Sequence, residues 1–324
     1  MTTLSVSVET WPISGRFSIA RGSKTKAEVV VVRLDRGMGC GECVPYTRYG
    51  ESIDGVVEQI ESVRAEIERG VGQVQLQQVL PAGAARNALD CALWDLEAKR
   101  TGQRAWQRAG LMRLDPVKTA YTLSLDTPEA MAAAARENAR RPMLKLKIGG
   151  AGDLDRVEAV RAAAPRTRLL LDANEALTFD DLKRLAPEFA RLGVVLLEQP
   201  LKAGEDAALE GYECPVPLCG DESLHTRAEL AACARRYSAI NIKLDKAGGL
   251  TEALALKREA QALGLEIMAG CMVATSLSMA PAVLIAQGAR FVDLDGPLLL
   301  AKDREPGLTY VGSMIEPPSP QVWG

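Results

Sequence analysis

Six places after residue 140 set charge where an apolar run has just ended. They are Lys145-Leu-Lys147, Asp172-Ala-Asn174, Glu198-Gln-Pro200, Asp221-Glu-Ser223, Lys243-Leu-Asp245-Lys246 and Asp293-Leu-Asp295. The steps from Lys147 to Asp172, Glu198, Asp221 and Lys243 are 25, 26, 23 and 22 residues, each the length of one strand-plus-helix unit. A single Asp after an apolar run is usually a helix N-cap, and Asp180 and Asp206 read that way. The recurrence is what argues for chemistry. Strand alternation puts Lys145 and Lys147 on one side. Carboxylates at the neighbouring stations 172, 198 and 221 repel one another unless a cation neutralises them, and such oxygen donors suit Mg2+ best. Lysines then flank the ion on both sides, where two amines can act as bases on opposite faces of one carbon. Loss of a proton α to a carboxylate is very unfavourable in water, because the product carries two negative charges. Mg2+ and a nearby ammonium stabilise that charge as it develops. The same cations are expected to lower each lysine's pKa, so that a neutral amine is available near pH 7.

Two textures of sequence must position these residues. Residues 2–45 are strand-like, with Thr3-Leu-Ser-Val-Ser-Val8 alternating and Ala27–Leu34 forming a β-branched run. Residues 52–70 and 83–110 read as helices, so the first 115 residues make an α+β unit. After Asp115-Pro116, apolar runs alternate with amphipathic segments of helical length. The runs are 117–123, 143–148, 168–171, 194–197, 216–219, 239–244, 265–269 and 291–294. Eight such units argue for a (β/α)8-type barrel over residues 116–300, because eight strands close whereas five or six usually stay open. In such a barrel functional side chains gather at the C-terminal ends of the strands, so the charges above fall around one rim. Residues 205–215 are short for a helix and leave the fifth strand least defined. The proline-rich residues 301–324 are expected to leave the barrel and complete the N-terminal unit.

Composition removes other classes. The 324 residues are 47% hydrophobic and 25% charged, with a net charge of −3 and no long run of one sign, so there is no nucleic-acid footprint. No apolar run approaches the roughly 20 residues of a membrane span. The N-terminus has neither a basic start nor an apolar stretch of signal-peptide type, and a cytoplasmic protein is expected. Seven scattered cysteines read as buried thiols of a reducing compartment; Cys40 and Cys43 form one C-x-x-C with no second pair to make a zinc site. One histidine, His225, excludes multi-histidine zinc centres, and no Gly-x-Ser-x-Gly supports a triad. There is no Walker loop, and Gly37-Met-Gly39-Cys-Gly41 lacks the third glycine of a dinucleotide fingerprint. The chemistry must run on carboxylates and lysines.

These motifs resemble, along nearly the whole chain, the muconate-lactonizing subgroup of the enolase superfamily, whose fold is an α+β capping domain on a modified (β/α)7β barrel. That superfamily is known for a lysine or histidine base beside Mg2+. Asp293-Leu-Asp295-Gly-Pro297 looks like the signature of the dipeptide epimerases, L-Ala-D/L-Glu epimerases most closely. Ile19-Ala-Arg-Gly-Ser23, Pro45–Glu51 and Pro81–Asp95 look like that group too. The resemblance implies Asp172, Glu198 and Asp221 as Mg2+ ligands, Lys147 and Lys243 as opposed bases, and Lys145 on the substrate carboxylate. It implies Asp293 and Asp295 on the α-ammonium of a dipeptide, with Thr122 and Cys271 as further contacts, and a role in recycling cell-wall peptides. An anionic pair suits a cation. Similar epimerases carry arginine after Gly-Ser to bind the glutamate side chain; this chain has Lys24, which keeps the charge and loses the bidentate fork. Competing readings are a cycloisomerase or o-succinylbenzoate synthase-type lyase, which needs no ammonium clamp, and a non-catalytic binding module. Family members often self-associate, but no interface is legible in the sequence.

Overall fold

The computed structural model describes residues 2–150 and 152–324. Strands β1 (Leu4–Ile19) and β2 (Gly22–Leu34) form a long antiparallel hairpin, and β3 (Gly39–Cys43) pairs with β2. The β-branched run of β2 is buried on both faces. Val30, Val32 and Leu34 pack on the helices of the same unit, while Val29 and Val31 join the core shared with the barrel. The stretch 52–70 is two helices, α1 (Ile53–Ser62) and α2 (Arg64–Glu68), broken where Val63 leaves helical geometry. A helix not foreseen, α3 (Gln73–Val79), precedes α4 (Ala84–Thr101), which Gly102 stops before the short α5 (Ala105–Arg108). Gly39 and Gly41 let β3 lie directly on α4: a Cβ at Gly41 would sit 2.1 Å from the Ala88 carbonyl oxygen. That glycine pattern serves strand–helix packing, not phosphate binding.

The first barrel segment splits. β4 (Val117–Lys118) leaves the barrel, and only β5 (Tyr121–Leu123) joins it. The chain continues through α6 (Pro128–Glu137), β6 (Met143–Lys147), α7 (Asp153–Ala163), β7 (Arg168–Asp172), α8 (Phe179–Arg191) and β8 (Val194–Glu198). A single 3-10 turn, Asp206–Leu209, replaces a helix before β9 (Leu218–Gly220), so the fifth strand starts later than the apolar run 216–219 suggests. Next come α9 (Leu230–Cys233), β10 (Ala239–Ile242), α10 (Leu244–Ala247), α11 (Leu250–Ala262), β11 (Glu266–Gly270), α12 (Ser276–Ala286), β12 (Phe291–Asp293) and α13 (Gly296–Leu299). Strands β5 to β12 lie side by side and parallel, and the Ala120 amide, 2.8 Å from the Val292 carbonyl, brings the two edges together into a nearly closed barrel.

Neither Asp180 nor Asp206 is a cap. Thr178 caps α8 and bonds reciprocally with Asp181, leaving Asp180 in solvent. Asp206 is buried and accepts from Ser223 Oγ, Tyr237 Oη and Arg236. Beyond the barrel, β13 (Tyr310–Val311) pairs with β14 (Met314–Ile315), which pairs in turn with β4. The C-terminus then returns to the first unit, where buried Trp323 donates to the Cys91 carbonyl and Gly324 to Asp95.

Candidate active site

Strand alternation builds the site. Ala120, Met143, Leu170, Leu196, Cys219, Ala239, Met268 and Phe291, one from each strand or its flank, form a closed apolar plug inside the barrel. Inward-facing residues recur every second position, so the next layer toward the strand C-termini is Thr122, Lys145, Asp172, Glu198, Asp221, Asn241, Gly270 and Asp293. One step further on come Lys147, Lys243 and Asp295. Gly270 is required by its neighbour: a Cβ there would meet Asn241 Oδ1 at 2.3 Å, and Asn241 donates to Glu198 Oε1 at 2.7 Å.

Asp172 and Glu198 are direct register partners on β7 and β8, and Asp221 follows β9. Lys147, on β6, approaches Asp172 at 2.5 Å, and Lys243, directly after β10, approaches Asp221 at 2.6 Å. β6 and β10 are four strands apart among eight, so these two lysines stand on opposite sides of the mouth with the carboxylates between them. Both line one cavity of about 770 Å³ beneath the N-terminal unit. Fully buried Lys145 lies 2.7 Å from both Glu198 and Asp293 and 3.1 Å from Asp172.

Burial alone would raise all three carboxyl pKa values, but their neighbours split them. Asp172 is held below the usual range against its burial by Lys145, Lys147 and Lys243, and Asp221 by Lys243 and Lys246. Glu198 is pushed up to about 7 by burial and by the Asp172 charge. Without a metal, Lys145 and Lys243 answer to the carboxylates they face. Burial works against the charge on Lys145 and Lys243, yet the facing carboxylates outweigh it and hold both pKa values well above the ordinary one.

Asp172, Glu198 and Asp221 offer the all-oxygen donor set of a hard divalent cation. Glu198 Oε2 accepts no well-directed hydrogen bond although the Lys145 ammonium is 2.7 Å away, which leaves a buried lone pair aimed into the cluster. Among the described residues no three acidic, cysteine or histidine side chains are drawn together tightly enough to grip an ion; each carboxylate leans on an ammonium. The donor types and their adjacency fit a divalent metal.

On the far side of the mouth, the Thr122 amide donates to Asp295 at 2.6 Å, and its hydroxyl lies 3.5 Å from Asp293. Burial and the adjacent Asp293 push Asp295 up to about 7. Burial and the same two carboxyls push the Cys271 thiol well above its normal value. Lys24, on β2, reaches the cavity rim. The structure therefore brings every candidate residue to one cavity or its immediate wall.

Other residues join them. Lys246 donates to Asp221 Oδ1 at 2.6 Å and to the backbone oxygens of Asp221 and Asn241, pinning the carboxylate from behind. Its signal was present, since Lys243 and Lys246 are three apart at the start of a helical turn. Gln199 Oε1 accepts from the amides of Asp221 and Ser223, fixing the end of β9. From the hairpin tip, Arg21 reaches the Asn174 carbonyl (2.6 Å), Glu175 (2.9 Å) and Glu222 (2.8 Å), tying the first unit to the barrel. Nothing in the sequence marks that contact, which spans more than 150 residues.

Comparison with known proteins places this architecture. Residues 1–110 match the mandelate racemase / muconate lactonizing enzyme N-terminal domain, and residues 129–319 match the enolase C-terminal domain-like family. The L-Ala-D/L-Glu epimerase of Escherichia coli (strain K12) is 48% identical over 314 residues, 96% of this chain and 98% of that protein. A crystal structure of an enolase family member from Agrobacterium tumefaciens, described as having homology to dipeptide epimerases and holding sodium and L-Ala-L-Glu, is 53% identical. It superposes with a TM-score of 0.98 over the full length of both chains. A dipeptide epimerase from Enterococcus faecalis V583, crystallised with Mg and L-Leu-L-Tyr, is 27% identical with a TM-score of 0.89 over 98% of this chain and 97% of that one. This chain belongs to the mandelate racemase / muconate lactonizing branch of the enolase superfamily, in which it is similar to the L-Ala-D/L-Glu epimerases.

Proposed function

We propose that the chain is a cytoplasmic, Mg2+-dependent dipeptide epimerase, acting by 1,1-proton transfer at the α carbon of the C-terminal residue, with L-Ala-D/L-Glu as its substrate. Residues 116–300 form the catalytic barrel, and residues 1–115 with 301–324 form the cap. One observation carries the reading: two lysines from β6 and β10 confront each other across a single cavity, with three carboxylates on the strands between them. The similarity to L-Ala-D/L-Glu epimerases over nearly the whole chain supports it.

Asp172, Glu198 and Asp221 hold the metal. When bound, it supplies the positive charge that lowers the acidity barrier at the α carbon and relieves the lysines of their anionic partners. Lys147 removes or delivers the proton on one face, and Lys243 does so on the other. Lys145, already cationic among carboxylates, neutralises charge on the substrate carboxylate. Asp293 and Asp295 receive the α-ammonium, with Thr122 and Cys271 forming the adjoining wall. That anionic pair separates an epimerase of dipeptides from a lyase whose substrate lacks an amine. Lys24, at the rim, meets the acidic side chain of the second residue. Phe17, which lies 5.7 Å from the Lys147 ammonium, and Tyr49 on the cap cover the reacting centre and limit water.

A mass-spectrometric screen of dipeptides in D2O tests this. L-Ala-L-Glu and L-Ala-D-Glu are each expected to gain one α-deuterium with Mg2+ and none with EDTA. Lactone or dehydration products from other acids, with no dipeptide turnover, would reverse the reading.

A further inference from the structure

Four cationic side chains line the cap side of the cavity: Arg21, Lys24, Lys26 and Arg48. Three already hold a carboxylate. Arg21 is paired with Glu175 and Glu222, Arg48 with Glu175 at 2.7 Å, and Lys26 with Glu28 at 3.0 Å. Lys24 has no acidic partner among the described residues. Its ammonium stands instead 5.5 Å from the centre of the Tyr46 ring. That ring is fixed from several sides. The Tyr46 amide donates to Glu51 at 3.0 Å, its hydroxyl accepts from Arg21 at 3.1 Å, and its ring makes a T-shaped contact with Tyr49, centroids 5.1 Å apart.

We propose that Tyr46 is a positioning residue for side-chain specificity: its ring is a platform that orients the Lys24 ammonium toward the carboxylate of an acidic C-terminal substrate residue. The inference rests on the epimerase reading above and deepens its substrate class. Lysine is a point charge on a flexible four-carbon stem and lacks the pre-set fork of arginine. A ring face within about 6 Å attracts an ammonium without bringing a formal negative charge. It therefore narrows where the Lys24 nitrogen sits and leaves that charge free for a substrate anion. A carboxylate in the same place would compete with the substrate.

The test compares L-Ala-L-Glu with its neutral isostere L-Ala-L-Gln on the full-length Mg2+-loaded enzyme, with kcat and KM determined separately. The measured quantity is the ratio of the two kcat/KM values. Lys24→Ala is expected to lower this ratio about tenfold through the KM for L-Ala-L-Glu, the size of one lost charge-assisted hydrogen bond. Tyr46→Leu is expected to lower it about threefold, again through KM. Adding Lys24→Arg to Tyr46→Leu is expected to restore the ratio, because the guanidinium brings its own geometry; a general structural lesion would not be rescued in this way. If Tyr46→Leu does not fold, Tyr46→Phe and its stepwise ring-fluorinated analogues replace it, and the KM for L-Ala-L-Glu must rise with each fluorine while that for L-Ala-L-Gln holds. An unchanged ratio in Tyr46→Leu, or equal losses on both dipeptides, would overturn the assignment while Lys24→Ala still lowers the ratio. An unchanged ratio in Lys24→Ala itself would instead overturn the reading of Lys24 on which it rests.

Discussion

The barrel mouth and the cap loops above it contribute to one cavity by different means. At the mouth, each charged side chain sits two or four residues beyond an apolar plug residue on the same strand or its continuation, so its direction is set by backbone pleating. The cap residues Arg21, Lys24 and Tyr46 come from a hairpin tip and a turn, and their positions depend on contacts far away in sequence. The first region is built to hold charge rigidly in a dry, buried cluster. The second is half exposed and built from separable contacts. Substitutions at the mouth should therefore remove chemistry, whereas substitutions in the cap should change which substrate is taken and how tightly.

The largest effects are expected at the opposed lysines. Lys147→Ala and Lys243→Ala should each lower kcat by about 10³-fold or more, near the upper range for losing a general base, with the fold intact by circular dichroism. A fall of less than tenfold in either would break the contrast. Glu198→Gln keeps the shape and removes the charge from the middle of the donor set. Outer partners of metal ligands are worth 10–100-fold in affinity, so a direct ligand should cost at least about 100-fold in Mg2+ affinity by calorimetry. Arg21→Met removes the hairpin's tie to Asn174, Glu175 and Glu222, and about a tenfold loss in kcat/KM carried by KM is expected. A loss carried by kcat would mean that the cap belongs to the chemistry as much as the mouth does.

The smallest effect concerns the seam between the regions. Buried Asp245 accepts from the Val44 amide at 3.0 Å and from Asn87 at 2.8 Å. Burial pushes its carboxyl from 3.8 up to about 7, while those hydrogen bonds pull the other way. The native state thus binds more protons than the unfolded chain between these values. The contribution to stability is fully present below about pH 4 and fades as the pH rises through 7. Asp245→Asn should flatten the stability profile across that window and raise stability by about 1 kcal/mol at pH 8, as read by urea unfolding.

The difference between the regions also governs what the sequence made legible. The charges at 145, 147, 172, 198, 221, 243, 293 and 295 could be read because each strand unit repeats at nearly constant length and its inner face alternates. The split at β4 and β5 could not, since Val117–Lys118 is apolar enough for the barrel and only the β14 partner draws it away. Asp206 looked like a surface cap because its partners, Ser223, Arg236 and Tyr237, lie 17 to 31 residues further on. The contacts of Lys145 were hidden for a similar reason. Spacing gave the carboxylates, but it did not reveal that Lys145 touches three of them at once.

The most direct measurement follows α-deuterium incorporation from D2O into each epimer of L-Ala-Glu separately, using Lys147→Ala and Lys243→Ala with Mg2+ present. If the two lysines serve opposite faces, each variant should wash deuterium into only one epimer, and the two variants should choose different ones. Exchange from both epimers in either variant, or from the same epimer in both, would contradict the account.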